Sequence, residues 1–279
     1  MKPLQIPDFA DKSRLYDWLI ENKSLLIAQK KSTIKHADAI ACVPSFVSEK
    51  SDEVTIKAEQ IPAEATRLKV RFVANTTKLF DSHGDVHIDQ LWNKSIKENK
   101  ENFHVKEHAF NFEGVISDNV KVFVKQMNWH DMGINYEGQT QALIYDSIID
   151  KSENPYMFEK YRLGKVRQHS VGMRYVKIDM AVNDERYEKE FGIWEKYFDL
   201  IVNKDDALAT GYFWAVTEAK HIEASSVLKG SNWATPVLNT EQTKTEPVVT
   251  TPQKTEPVKS TLKASELIKF YQPIKHLSK

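Results

Sequence analysis

The sequence is poor in cysteine: Cys42 is the only one in 279 residues. That excludes an internal disulfide and any multi-cysteine zinc site, and it suits a reducing compartment. Net charge is also missing, because 39 lysines and arginines balance 39 aspartates and glutamates. The composition therefore supplies no electrostatic case for nucleic acid or an anionic membrane as partner. No apolar run approaches the roughly 18 residues that span a bilayer, and the N-terminal Met1-Lys2-Pro3-Leu4-Gln5-Ile6 lacks the apolar stretch of a signal peptide. These absences predict a soluble protein of a cytoplasm. What is present is enough apolar residue, 41% of the chain, for one sizeable core with extensions.

The informative stretch is Arg162-Leu163-Gly164-Lys165-Val166-Arg167-Gln168-His169-Ser170-Val171-Gly172-Met173-Arg174-Tyr175-Val176. It reads as a strand entered after a glycine. Residues two apart share a face of a strand, so Gln168, Ser170, Gly172 and Arg174 point one way and Val171, Met173 and Tyr175 the other. Ser170 lies on the polar face, and Gly172 leaves room beside it for a substrate backbone. His169 points to the opposite face, so a base for Ser170 comes from elsewhere in the chain.

Before this strand, residues 9–31 read as a helix capped by Asp11, with Leu15, Trp18, Leu19, Leu25 and Leu26 as its apolar stripe. Residues 1–65 read as an N-terminal helical extension, and the core begins near Arg67, where Leu68, Val70, Phe72 and Ala74 alternate as in a strand. Asp81-Ser82-His83-Gly84 is a turn signal. His83, Asp85 and His87 would share a strand face as a minimal metal-ligand set, but the turn composition favours a structural role and no metal is expected. Leu91–Asn99 reads as a short helix, Val120, Val122 and Val124 as a strand, and Gln141–Ile149 and Pro155–Tyr161 as helix pieces. Asn183–Asn203 has the spacing of an amphipathic helix.

Two further stretches carry chemistry. Phe103-His104-Val105-Lys106-Glu107-His108 is followed by Gly114-Val115-Ile116; Glu223-Ala224-Ser225 is followed by Val227 and by Gly230-Ser231-Asn232. With Ser170-Val171-Gly172-Met173 and the Gly84-Asp85-Val86 segment, these resemble, in order, the motifs of the tailed-phage prohead (capsid maturation) serine proteases, distant relatives of the herpesvirus assemblin proteases. The resemblance spans roughly residues 67–238. It implies an α+β fold, a small β-barrel wrapped by helices, and a triad of Ser170 as nucleophile, His108 as base and Glu223 as orienting acid. His104 is the competing base, and His221, two residues from Glu223 and so on the same strand face, is the alternative third member. It further implies a serine endopeptidase that cuts scaffold and major capsid protein inside the immature phage head in the host cytoplasm, cleaves itself, works as a homodimer, and needs no cofactor, nucleic acid or membrane.

Two rivals belong to other classes. His104-Val105-Lys106-Glu107-His108 fits the H-x-x-E-H pattern of a zinc-dependent peptidase, which requires those residues on a helix; the surrounding β-type sequence speaks against one. The chain could instead be a catalytically inactive capsid-assembly or scaffolding protein, since a fold does not fix a function. A nucleophile-elbow hydrolase is disfavoured, because Gln168 stands where the motif's first glycine belongs and few histidines follow Ser170 to serve as base. The domain organisation read from the sequence is an extension at 1–65, a protease domain at 66–238, a flexible linker at 239–260 containing the repeated Lys-Thr-Glu-Pro-Val, and a short apolar tail segment at 261–279.

Overall fold

The computed structural model describes residues 4–34 and 61–243. The tail segment, Cys42 and most of the linker lie outside them. The described chain runs α1 (Lys12–Ser32), β1 (Arg67–Thr76), β2 (Asp85–His87), α2 (Asn93–Glu98), β3 (His104–Lys106), β4 (Val115–Ser117) and β5 (Val120–Asn128), then a 3-10 turn (His130–Met132). It continues with β6 (Gln139–Asp150), α3 (Pro155–Arg162), β7 (Gln168–Val182), α4 (Glu188–Phe198), α5 (Lys204–Thr210), β8 (Tyr212–Val227) and β9 (Val237–Gln242).

The strands form two open sheets. One has the order β5-β6-β1-β9; in the other, β8 carries the short parallel strands β2 and β3 along one edge, β4 beyond β3, and antiparallel β7 along its other edge. The expected α+β class holds, but the expected barrel does not. Closure needs one unbroken ladder of hydrogen bonds around the circuit, and among the described residues no strand pairing joins the two sheets.

The sheets instead bury apolar faces against each other. Leu68, Val70 and Phe72 of β1 and Leu143, Tyr145 and Ile149 of β6 meet Val171, Met173 and Tyr175 of β7 and Trp214, Val216 and Ala224 of β8 in one cluster. Each such side chain stabilises the fold by about 1.5–3 kcal/mol on burial. The helix expected at Gln141–Ile149 is the central strand β6, bonded to β1 on one side and β5 on the other. Its run Ala142-Leu143-Ile144-Tyr145 is buried on both faces, so it lacks the period-2 alternation that marks a half-exposed strand.

Two domain boundaries also differ from expectation. Helix α1, capped by Asp11 accepting from Arg14 N at 3.0 Å, buries Tyr16, Leu19 and Leu26 in the main cluster, so it is part of the domain. Strand β9 pairs Val70, Lys69 and Leu68 with Thr240, Glu241 and Gln242, so the ordered sheet extends past residue 238.

The outer face of the β7–β8 ribbon is divided. At one end Trp194, Tyr197 and Ile201 of the α4 region and Ala207 of α5 cover Ala181, Phe213 and Ala215. At the other end lie Ser170, Gly172, Glu223 and Ser225.

Candidate active site

The β7–β8 register sets Ser170 opposite Ser225 and Gly172 opposite Glu223. Directly opposed residues share a face with Cβ atoms about 4.5–5.5 Å apart. The four therefore form one small quadrilateral on the outer face. Strand β3 reaches it from the far side of β8, with His104 beside Ala224 and Val105 beside Ser225. The chain leaves β3 in a turn that places His108 over this face. His108 Nδ1 lies 2.6 Å from Glu223 Oε1, and its side chain and that of Glu223 are 9% and 2% exposed. A hydrogen bond accepted by a carboxylate is of the strong, charge-assisted kind.

The turn that delivers His108 is strained. Glu107 and His108 both have positive φ, 49° and 57°, in the left-handed region. For residues with a Cβ this costs roughly 1–2 kcal/mol each, and such outliers persist only where surrounding contacts hold them. Here Glu107 N donates to Ser226 O at 3.0 Å, Ala109 N to Lys106 O at 2.8 Å, and His108 N to Ser225 Oγ at 2.9 Å. The loop closes against Gly114, where a Cβ would stand 1.9 Å from Ala109 O.

Gly172 has a purpose that differs from the expected one. A Cβ built on it would lie 2.1 Å from Glu223 Oε1 and 2.8 Å from Glu223 Cδ. The space beside Ser170 is filled by the carboxylate that bonds His108. The glycine is required by sterics, since its φ is not in the left-handed region.

A β-bulge separates the two candidates for third member. Gly172 opposes Glu223 while Met173 opposes His221, which leaves Ile222 as the extra residue. The insertion turns His221 to the inner face with Met173, so its expected place on the Glu223 face is not what the structure has. There its Nε2 lies 2.5 Å from Tyr145 OH, its Nδ1 3.3 Å from Asn99 Nδ2, and its backbone N–H donates to Ser95 Oγ at 2.8 Å. Burial pushes its pKa down to about 4.

His104 and His169 also belong to the interior. His104 Nδ1 is bonded to Ser147 Oγ at 3.0 Å, and its Nε2 lies 2.9 Å from Ser226 Oγ and 3.0 Å from Tyr161 OH. His169 stacks on Phe72 with ring centroids 3.8 Å apart and shares Tyr161 OH at 2.8 Å. Burial lowers the pKa of His104 well below its ordinary value and that of His169 to about 3, so both rings are neutral. The zinc pattern fails on geometry: His104–Lys106 is strand, and His104 has both ring nitrogens engaged inside the core.

Ser170 is 8% exposed and shares this face with Glu223, to which His108 is bonded. The structure thus brings Ser170, His108 and Glu223 to one face, completes the His108–Glu223 bond, and keeps His221 and His104 away from it.

Elsewhere, Asp81, His83 and Asp85 have potential ligand atoms within 4.8 Å of one another. The two carboxylates are already engaged in the fold. Asp81 Oδ1 accepts from His83 N at 2.8 Å and Asp85 N at 3.0 Å, and Asp85 pairs with Lys30 and accepts from Tyr175 OH at 2.6 Å. His87, the third member of the set read from the sequence, is bonded to Asn75 Nδ2 at 2.9 Å instead. Among the described residues no helix is long and apolar enough to cross a membrane.

Two site features escaped the sequence: the bulge at Ile222 and the part played by Ser225. The signal for Ser225 was there, since period 2 puts it on the face of Glu223. No family model, curated protein or solved structure matches this chain.

Proposed function

We propose that the chain is a serine endopeptidase in which Ser170 is the nucleophile, His108 the base and Glu223 the acid that orients the imidazole. The observation that carries this reading is the 2.6 Å His108–Glu223 bond on the face of the β7–β8 ribbon that also holds Ser170. With Nδ1 committed to the carboxylate, Nε2 is the nitrogen that takes the Ser170 proton as Oγ attacks a carbonyl carbon. The same imidazolium then returns the proton to the leaving amine, and in a second cycle water, deprotonated by the imidazole, cleaves the Ser170 ester to release the acid product and restore the serine. Glu223 fixes the tautomer and stabilises the imidazolium.

The substrate class rests on the ordered motif resemblance. Scaffold and major capsid protein of an immature phage head are the proposed substrates, with self-cleavage and a homodimer as corollaries.

The test is cleavage of scaffold, capsid protein or the chain itself by wild type and Ser170→Ala. Replacement of the nucleophile removes nearly all turnover while the fold is retained. Maturation by the alanine variant at the wild-type rate refutes the assignment, and loss of activity to a chelator transfers the chemistry to a metal.

A further inference from the structure

We infer that Ser225 is a positioning residue of this site, the clamp that holds the strained His108 turn and the Glu223 carboxylate in register with each other. This rests on the Ser170–His108–Glu223 reading and adds a residue to it. The Ser225 hydroxyl uses both of its roles within the site. It accepts the backbone N–H of His108 at 2.9 Å and donates its own proton to Glu223 Oε2 at 2.9 Å. Glu223 Oε1, the other oxygen, lies against His108 Nδ1. The three residues therefore close a ring of hydrogen bonds: backbone of His108 to Ser225 Oγ, Ser225 Oγ to the carboxylate, carboxylate to the ring of His108.

Each link answers a physical need. His108 sits in a left-handed conformation that its own sequence does not favour, so its amide needs a fixed acceptor. The carboxylate must present Oε1 to the imidazole, and a donor on Oε2 fixes its rotation about the last side-chain torsion. Ser225 is fully buried, so water cannot replace its hydroxyl without entering the core. Its Cα partner across the ribbon is Ser170, so the clamp stands directly beside the nucleophile.

The same hydroxyl cannot be the nucleophile. Its proton is committed to Glu223, and it is shielded from solvent on every side. Of the paired serines at this register position, Ser170 is the slightly exposed one.

The experiment compares wild type, Ser225→Ala and Ser225→Cys in the full chain, with two readouts. The first is the tautomer of His108, read from the ring nitrogen shifts of protein labelled with 15N-histidine and assigned with His108→Gln. Wild type holds the Nδ1–H form. Ser225→Ala mixes the two tautomers, and Ser225→Cys, with a weak donor and acceptor of similar size, falls between. The second is peptide cleavage, where Ser225→Ala lowers kcat by about 10- to 100-fold with KM little changed, the effect of a misplaced catalytic group.

An unchanged tautomer in Ser225→Ala overturns the inference, whatever happens to turnover, and so does a kcat that stays at the wild-type value. Should Ser225→Ala not fold, Ser225→Cys carries the comparison with the same criteria. Failure of wild type to cut any peptide refutes the proposed function instead, and the tautomer comparison still decides the role of Ser225.

Discussion

Replacing Gly172 with alanine tests the site through its packing. The added methyl would stand 2.1 Å from Glu223 Oε1 and 3.1 Å from Cγ. A carbon and an oxygen need about 3.3 Å even in a close C–H···O contact, so the carboxylate must retreat by about 1 Å. It is not free to do so, being held by His108 Nδ1 at 2.6 Å and Ser225 Oγ at 2.9 Å. A retreat of that size breaks the bond to His108.

The loss of one charge-assisted hydrogen bond costs about 1.5–3 kcal/mol. Alanine recovers about 0.5–1 kcal/mol over glycine in a strand. The expected net destabilisation is about 0.5–2.5 kcal/mol, seen in urea unfolding, together with a fall in kcat of about 100-fold from displacement of the catalytic pair. Glu223→Asp, one methylene shorter, makes room for the methyl. The double variant should therefore be more active than the product of the two single effects, a coupling readable in a double-mutant cycle. A Gly172→Ala protein with wild-type stability and turnover, or strictly additive effects in the cycle, would show that the glycine does not serve the carboxylate.

Other perturbations probe the rest of the arrangement. Glu223→Gln should lower kcat by about 100-fold or more, because an amide cannot stabilise the imidazolium; His221→Ala should keep most turnover but lose about 1–3 kcal/mol of stability by leaving Tyr145 OH unpaired. The opposite ranking in a peptide-cleavage assay transfers the role to His221. His169 and His221, lowered by burial from 6.5 to about 3 and about 4, are neutral in the folded and unfolded chain above pH 6.5. Below it the unfolded chain binds protons the folded one refuses, so each costs about 2 kcal/mol of stability by pH 5. Urea unfolding at pH 7 and pH 5 measures this, and equal stability at the two would refute the buried neutral state. A chain ending at Asn239 loses the pairing of Thr240, Glu241 and Gln242 with β1 and should melt lower than one ending at Thr243; equal melting temperatures would mean that the end of β9 contributes nothing.

Much of the site was legible because a strand has a strict period. Alternation alone placed Ser170 and Gly172 on one face and His169 with Val171 and Met173 on the other, and the structure stacks His169 on Phe72 in the core. The cap at Asp11, the short helix at Pro155 and the strand from Arg67 follow from local signals in the same way. Such features are determined by a residue and its near neighbours along the chain.

The tertiary structure decided what depends on residues far apart. The central strand β6 is apolar on both faces, and only its two neighbours distinguish it from a buried helix. The bulge at Ile222 reverses the side on which His221 emerges, and bulges arise from pairing with a partner strand, which periodicity within one segment does not register. Gly172 is small because a carboxylate 51 positions later in the chain occupies its space. Whether the sheets close into a barrel is decided by which edges meet, a property of the assembled strands that no single stretch of this sequence encodes.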